Sequence, residues 1–254
     1  MQLEQQLRAA RAEKDILLMT HLVLGYPSFE VNREVIRQMV ENGVDVIELQ
    51  IPFSEPMADG PVIMMANQEA IAAGTTVQQC FEFAAEMAAT YDIPFLFMTY
   101  YNILFKYGEE AFFKKSKEIG IKGFIVPDLP PEEGEKYLDL TKKYELAPIQ
   151  IFAPTSQDER MRFLADNGAG FIYCVARKGV TGRKSSFDED FAAYMARCRA
   201  ATGLPLAVGF GIADKSDVDT LTGKADIAVI GTATIRLVEE KGPAAVGPFI
   251  ASLR

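Results

Sequence analysis

Short apolar runs rich in β-branched residues alternate with longer amphipathic segments along the chain. An apolar run of roughly four to eight residues predicts a buried strand, whereas apolar residues at three- and four-residue spacing predict a half-buried helix. The predicted strands are Leu17–Leu24, Val44–Ile51, Pro94–Thr99, Gly123–Val126, Ala147–Phe152, Phe171–Val175, Leu206–Gly209 and Ile227–Ile230. The predicted helices are Glu30–Glu41, Gln79–Tyr91, Glu109–Ile119, Glu133–Tyr144, Glu159–Asn167, Glu189–Ala200 and Ser216–Thr222.

This strand–helix alternation predicts an α/β fold, and its length favours a (β/α)8 TIM barrel. An open doubly wound sheet is the competitor, but its G-x-G-x-x-G fingerprint after the first strand is missing. No linker or repeat divides the 254 residues, so we expect one domain spanning 1–254. The segment Met1–Lys14 is predicted to be an extra helix that covers the N-terminal end of the barrel.

Several polar and small residues mark expected helix ends. Ser156, followed three residues later by Glu159, predicts a capping box at a helix start. Gly43, Gly120 and Gly168 each follow a predicted helix and precede a strand, as C-cap glycines do.

The composition narrows the possible functions. A net charge of −9 argues against a nucleic-acid surface, and no apolar run is long enough to span a membrane. A single histidine, His21, excludes a multi-histidine metal site. The cysteines Cys80, Cys174 and Cys198 fall in apolar segments and are expected to be buried thiols. With no signal-peptide pattern at the N-terminus, we expect a cytoplasmic protein.

Two acidic residues follow one another around the end of the second predicted strand. Glu48 lies near the C-terminal end of that apolar strand, and Asp59 lies in a loop stiffened by Pro52, Pro56 and Pro61. Burying a carboxylate is costly unless it is paired or neutral, so this pair indicates two acids placed for chemistry. The alternative is a solvated glutamate at the sheet rim and an aspartate that caps the next helix.

Side-chain alternation places Val46, Glu48 and Gln50 on the same face of the strand, towards the barrel interior. Tyr173, near the end of the sixth strand, is also predicted to point inward. Its phenol can either hydrogen-bond Glu48 or fill the barrel.

Glycines cluster at the ends of the last three strands, in Gly179–Gly182, Gly209–Gly211 and Gly231–Thr232. Small residues allow backbone N–H groups to approach an anion, and loops after strands 7 and 8 bind phosphate in many TIM barrels. The alternative is that glycines are simply frequent in tight turns. Because three such loops converge on one face, the sequence favours a phosphate site.

Several motifs, in this order and spacing, resemble the tryptophan synthase α subunit family over nearly the full length. They are Leu24-Gly-Tyr-Pro27, Ile51-Pro-Phe-Ser-Glu-Pro-Met-Ala-Asp-Gly-Pro61, Met98-Thr-Tyr-Tyr-Asn102, Val126-Pro-Asp-Leu-Pro-Pro-Glu-Glu133, Ala153-Pro-Thr-Ser156, Arg177-Lys-Gly-Val-Thr-Gly182 and Val208-Gly-Phe-Gly-Ile212. The resemblance implies a lyase of tryptophan biosynthesis that cleaves indole-3-glycerol phosphate to indole and D-glyceraldehyde 3-phosphate by retro-aldol chemistry.

The resemblance also implies roles for individual residues. Glu48 would protonate indole C3 and then accept the hydroxyl proton, and Asp59 would stay ionised and hold the indole N1–H. Tyr173, Tyr100 and Thr181 would support these groups, with Thr181 on a mobile loop that closes over the ligand. The phosphate-binding positions are Gly182, Gly211, Gly231 and Thr232, and the substrate-pocket positions are His21, Gln50 and Phe210.

By the same resemblance, this subunit needs neither a metal nor an organic cofactor. Its implied partner is a pyridoxal-phosphate β subunit in an α2β2 complex, to which the loops 54–59 and 176–186 would signal.

Four residues depart from the usual family pattern. Gln50 replaces a glycine, so its amide either crowds the indole or hydrogen-bonds Glu48. Glu55 and Tyr26 each replace an aspartate. His21 replaces an aromatic that packs on the indole ring; we expect it to pack in the same way, with a third acid–base group as the alternative.

Two other functions stay open at this point. One is a free-standing indole-releasing lyase, or a paralogue that acts on a different phosphorylated aldol. The other is a subunit that activates its partner but turns over poorly, although the retention of Glu48, Asp59 and Tyr173 argues against it.

Overall fold

The computed structural model describes residues 2–176, 184–209 and 211–254, with the backbone alone for 184–189. Its strands pair in parallel and in chain order, and β8 closes onto β1, which confirms the predicted TIM barrel. The strands are β1 (Leu17–Val23), β2 (Val46–Gln50), β3 (Phe95–Met98), β4 (Gly123–Ile125), β5 (Ala147–Phe152), β6 (Ile172–Val175), β7 (Leu206–Gly209) and β8 (Ile227–Ile230). Each predicted strand is confirmed, with bounds that differ by no more than two residues.

The helices surround the barrel. They are α1 (Gln2–Ala12), α2 (Phe29–Glu41), α3 (Pro61–Ala72), α4 (Val77–Thr90), α5 (Tyr101–Tyr107), α6 (Glu109–Glu118), α7 (Glu135–Tyr144), α8 (Asp158–Asp166), α9 (Lys184–Ala201), α10 (Lys215–Leu221), α11 (Thr232–Lys241) and α12 (Val246–Ser252), with short 3-10 helices at Pro131–Glu133 and Pro243–Ala245. The predicted helices are all present. The sequence reading missed four others: α3, α5, α11 and α12.

The core forms two layers because successive strand residues point to opposite faces. Ile47 and Leu49 point outward and pack against the surrounding helices. Met19, Val46 and Met98 point inward and fill the barrel.

Helix α1 covers the N-terminal end of the barrel, as predicted. Leu3 and Leu7 are almost fully buried and join the inner layer of the core. The Arg8 guanidinium donates to the carbonyl of Gly203, just before β7. Because this end is sealed, the opposite end is the one that remains open to a ligand.

Two of the predicted helix ends were wrong. Helix α8 begins at Asp158 after Gln157, with no side-chain cap, because the Ser156 hydroxyl accepts the N–H of Ala153 in the preceding turn. The capping box belongs instead to Thr76 and Gln79 at the start of α4. Gly43 and Gly120 follow their helices with φ of 91° and 90°, as C-cap glycines do, whereas Gly168 is not among the residues with positive φ.

The cysteines Cys80, Cys174 and Cys198 are buried free thiols, as expected. Within the described ranges, no cluster of three or more metal-ligating side chains occurs. No helix in those ranges is long and apolar enough to cross a membrane.

Candidate active site

The site lies where β1 and β2 end, at the open end of the barrel. In the parallel register, His21 pairs with Glu48 and Val23 pairs with Gln50. His21, Glu48 and Gln50 therefore share the inward face with the barrel-filling residues below them. This confirms the face that alternation predicted for Glu48 and Gln50.

Glu48 lies against the only histidine of the chain. Its Oε1 is 3.2 Å from His21 Nδ1, and each of the two side chains is only 6% exposed. The ring of His21 therefore makes a polar contact with the candidate acid. The reason is the strand register, which sets the two side chains directly opposite each other. The packing of His21 on the indole ring stays a prediction.

The second carboxylate, Asp59, is held by one side chain at the end of β2 and by another just after β3. Its Oδ2 accepts hydrogen bonds from Gln50 Nε2 at 2.7 Å and from the Tyr100 hydroxyl at 3.1 Å. The same hydroxyl accepts the N–H of Ala58 at 3.1 Å, which fixes the loop that carries Asp59. Tyr100 thus connects Asp59 to the backbone of its own loop, and its supporting role in the reaction stays a prediction.

The Gln50 amide donates its hydrogen bond to Asp59, whereas Glu48 was the partner considered in the sequence analysis. Gln50 is the last residue of β2, and the following loop folds back over the strand end, which brings Asp59 to the amide. Asn67 anchors that loop by accepting the N–H of Phe53 at 2.8 Å, and the Phe53 ring stacks on Tyr100 with centroids 5.0 Å apart.

The two acids and the histidine influence one another electrostatically. Burial lowers the pKa of His21, but the charge and hydrogen bond of Glu48, with smaller contributions from Asp59 and Gln50, outweigh burial and raise it above 6.5. Burial also raises the pKa of Asp59, and the charge of Glu48 raises it further. Hydrogen bonds from Gln50 and Tyr100 and the charge of His21 act in the opposite direction.

Tyr173 points into the same space from β6. Burial, followed by the nearby charges of Glu48 and Asp59, raises the pKa of its phenol. A Cβ atom at Gly209 would stand 2.9 Å from its hydroxyl oxygen, so the glycine leaves room for the ring. The structure thus brings Tyr173 within electrostatic reach of both acids, but it gives the hydroxyl no hydrogen bond to Glu48.

The expected anion side lies at the ends of the adjacent strands β7 and β8. Gly231 precedes the first turn of α11, which begins at Thr232, and no side chain caps the helix there. The backbone N–H groups at the start of α11 are therefore available to an anion, and the helix dipole favours negative charge at this end of the helix. Gly211 is exposed just after β7, with φ of 70°.

The sequence reading missed Thr234, a buried residue of α11. Its hydroxyl donates to the carbonyl of Gly231 at 2.7 Å and lies 3.4 Å from the carbonyl of His21. It thereby connects the start of α11 to β1. A threonine at the third position of a helix that follows a glycine turn is the signal that could have identified it.

Thr181 and Gly182, in the loop after β6, and Phe210, after β7, lie outside the described residues. Among the described positions, the structure brings together Glu48, Asp59, Gln50, His21, Tyr100 and Tyr173 on one side and places Gly211, Gly231 and Thr232 at the ends of β7 and β8.

Comparisons with known proteins identify the family of the chain. The family model described as tryptophan synthase alpha chain matches residues 7–246. The tryptophan synthase alpha chain of Desulfotalea psychrophila is 68% identical over 254 residues, which is 100% of each chain.

Solved structures give the same result. Tryptophan synthase subunit alpha from Legionella pneumophila superposes with a TM-score of 0.89 at 29% identity, covering 99% of this chain and 96% of that one. The tryptophan synthase complex from Pyrococcus furiosus gives a TM-score of 0.85 at 26% identity, covering 93% and 97%. The chain belongs to the tryptophan synthase alpha chain family.

Proposed function

We propose that Glu48 and Asp59 handle the proton and the charge in this chain's lyase reaction. As a tryptophan synthase alpha chain, the protein cleaves indole-3-glycerol phosphate to indole and glyceraldehyde 3-phosphate. The observation that supports the residue roles is a buried carboxyl at the end of β2 that shares one barrel mouth with a second carboxyl.

The first step needs an acid, because the bond from indole C3 to the side chain does not break while the ring is aromatic. Glu48, in its protonated form, donates to C3 and leaves a cation delocalised to N1. The resulting carboxylate then accepts the side-chain hydroxyl proton, the hydroxyl carbon becomes the aldehyde, and the C–C electron pair restores the indole ring. One group serves as acid and then as base, so the protons balance within the cycle.

Asp59 is the group suited to stabilise the cationic intermediate. An ionised carboxylate that accepts the ring N1–H gains attraction as positive charge develops on the ring. Gln50 and Tyr100 orient its Oδ2, so little reorganisation is needed during the reaction. The other oxygen, Oδ1, is the one left to receive the substrate.

The phosphate would bind at the ends of β7 and β8, at Gly211, Gly231 and Thr232, where the N-terminus of α11 offers backbone N–H groups. Because the chain carries a net charge of −9, local amides and not the overall field must attract the anion. Gly182, Thr181 and Phe210 complete the site in this proposal.

The proposal includes a tryptophan synthase β subunit as partner, which would hold the pyridoxal phosphate. The solved Pyrococcus furiosus relative is a tryptophan synthase complex, which supports such an assembly. The loop that carries Asp59 also presents Met57, which is 82% exposed, and the exposed Glu55. A partner that binds this loop would act on Asp59 directly, and native mass spectrometry with a cognate β subunit tests the assembly.

Turnover of indole-3-glycerol phosphate by Glu48→Gln tests the proton-transfer role. We expect a loss of at least about a hundredfold in kcat, because the amide keeps the shape but cannot exchange the proton. Glu118→Gln is the matched control: the same change at an exposed residue, at the end of α6.

The control should turn over like the unmodified protein. An unchanged rate in Glu48→Gln would rule out Glu48 as the proton carrier. A wild-type chain that binds its β partner but shows no turnover would instead favour an activating subunit.

A further inference from the structure

His21 makes a contact that the lyase mechanism above does not use. Its Nδ1 lies 3.2 Å from Glu48 Oε1, in a setting where both side chains are almost completely buried. A buried carboxylate is costly unless a partner stabilises its charge. The imidazole can supply a proton or a positive charge to that oxygen.

Two other buried atoms of the same cluster lack a partner. Neither His21 Nε2 nor Gln50 Oε1 has a hydrogen bond within the described part of the chain. Leaving both atoms unpaired costs free energy, and an N–H donated from the ring to the amide oxygen would satisfy both. The other end of the Gln50 amide already donates to Asp59 at 2.7 Å.

We propose that His21 is a positioning residue that shares one proton with Glu48, and that Gln50 connects this pair to Asp59. The inference rests on the proposed role of Glu48. It adds a group that holds the proton before Glu48 delivers it and that links the two acids of the site.

The proton balance is simple. In the resting pair, the proton lies on His21 Nδ1 and faces the Glu48 carboxylate. It crosses to Glu48 Oε1, and the carboxyl group formed in this way then protonates indole C3, which leaves the imidazole neutral and Glu48 as the carboxylate. The substrate hydroxyl proton then returns to Glu48 and the pair is restored, so no further reactant is required.

The electrostatics around the ring support this arrangement. The groups that act on it are Glu48 on β2, Asp59 in the next loop and the Gln50 amide, and their joint effect raises the pKa of His21 although burial opposes it. Tyr100 and Tyr173 also face the acids, but their own pKa values are raised, so they stay neutral through the relevant range. The imidazole thus loses its positive charge only as the pH rises through its raised pKa.

Because His21 is the only histidine, nuclear magnetic resonance of 15N-histidine-labelled protein reports on this ring alone. In the wild type, we expect His21 to titrate above 6.5, its ordinary value. In Glu48→Gln, the largest remaining influence is burial, so the titration should move below 6.5. Glu118→Gln, far from the ring, should leave it unchanged.

The pH profile of kcat/KM gives an independent readout. His21→Asn replaces the Nδ1 donor with an amide that does not titrate, and His21→Phe removes the donor altogether. In both variants, the alkaline limb should move to lower pH by about one unit or more, because the imidazole no longer holds the proton. His21→Asn should keep more of its activity at the optimum than His21→Phe.

The inference fails if Glu48→Gln leaves the His21 titration in place, or if both His21 variants keep the wild-type alkaline limb. These results are separate from those for the lyase roles. If Glu48→Gln loses turnover while His21 titrates as before, the proton-carrier role stands and only the shared proton is wrong. If Glu48→Gln keeps full turnover, the proposed function itself fails.

Discussion

The two sides of the barrel mouth are built from different parts of the chain. At the ends of β1 and β2, the candidate site is formed by side chains: His21 contacts Glu48, and Gln50 and Tyr100 hold Asp59. At the ends of β7 and β8, the candidate site is formed by the backbone: Gly211 and Gly231 carry no side chain, and α11 begins without a side-chain cap.

This difference matches what the proposed function requires for each half of the substrate. Proton transfer needs groups that change charge, and these must be oriented by neighbours to be effective. Holding a phosphate needs several N–H groups and no bulk, which a helix start after a glycine provides. Isosteric changes should therefore damage the side-chain region most, whereas added bulk or charge should damage the backbone region.

Asp59→Asn is the change expected to have the largest effect after that of Glu48. The amide can still accept from Gln50 or Tyr100, but it loses the charge that stabilises the ring cation. We expect kcat/KM to fall by about 10²–10³. Asp92→Asn, the same change at an exposed residue before β3, serves as control. If both variants keep full activity, Asp59 has no electrostatic role.

Gly211→Asp should have an intermediate effect, limited to phosphorylated ligands. A Cβ at Gly211 meets no atom within 4 Å, so the cost of Gly211→Ala is the strain of φ at 70°, roughly 1–2 kcal/mol. The aspartate adds repulsion of the phosphate. We expect glyceraldehyde 3-phosphate to bind about tenfold more weakly to Gly211→Asp than to Gly211→Ala, measured by calorimetry.

Binding of free indole gives the contrast for that variant, because indole has no phosphate and should bind equally to both proteins. If the aspartate weakens indole and the phosphorylated ligand to the same extent, the two regions of the mouth are not divided as we propose.

Tyr100→Phe should have the smallest effect. It removes one hydrogen bond to Asp59 and frees the Ala58 N–H, which is close to solvent. A loss of roughly 1 kcal/mol corresponds to about fivefold in kcat/KM. Tyr144→Phe also removes a tyrosine–carboxylate hydrogen bond, but on the outer surface. Steady-state kinetics should separate the two variants, and equal rates would show that Asp59 does not need Tyr100.

The strands were predictable from sequence because each is a short run rich in apolar residues with a glycine or proline nearby. Helices α3 and α11 were not predicted from the sequence, for two different reasons. Helix α3 begins at Pro61, directly after the proline-stiffened loop that carries Asp59, and its apolar residues do not fall on a single face. Helix α11 starts at a glycine turn with no polar cap, which made its first residues look like loop only.

Within the site, alternation was enough to place Glu48 and Gln50 on the inward face. The contacts between strands were not predictable, because the register that sets His21 opposite Glu48 depends on how β1 packs against β2. The choice of Asp59 over Glu48 as the partner of Gln50 depends on the path of a ten-residue connection, Ile51–Gly60, which local pattern does not specify.

The most direct test of the account is a crystal structure of Glu48→Gln with indole-3-glycerol phosphate bound. We predict that indole C3 lies about 3–3.5 Å from the side chain at position 48 and that N1–H donates to Asp59. The phosphate should then rest on the backbone of Gly211 and the start of α11. A ring nitrogen that turns away from Asp59, or a phosphate bound elsewhere, would contradict the account.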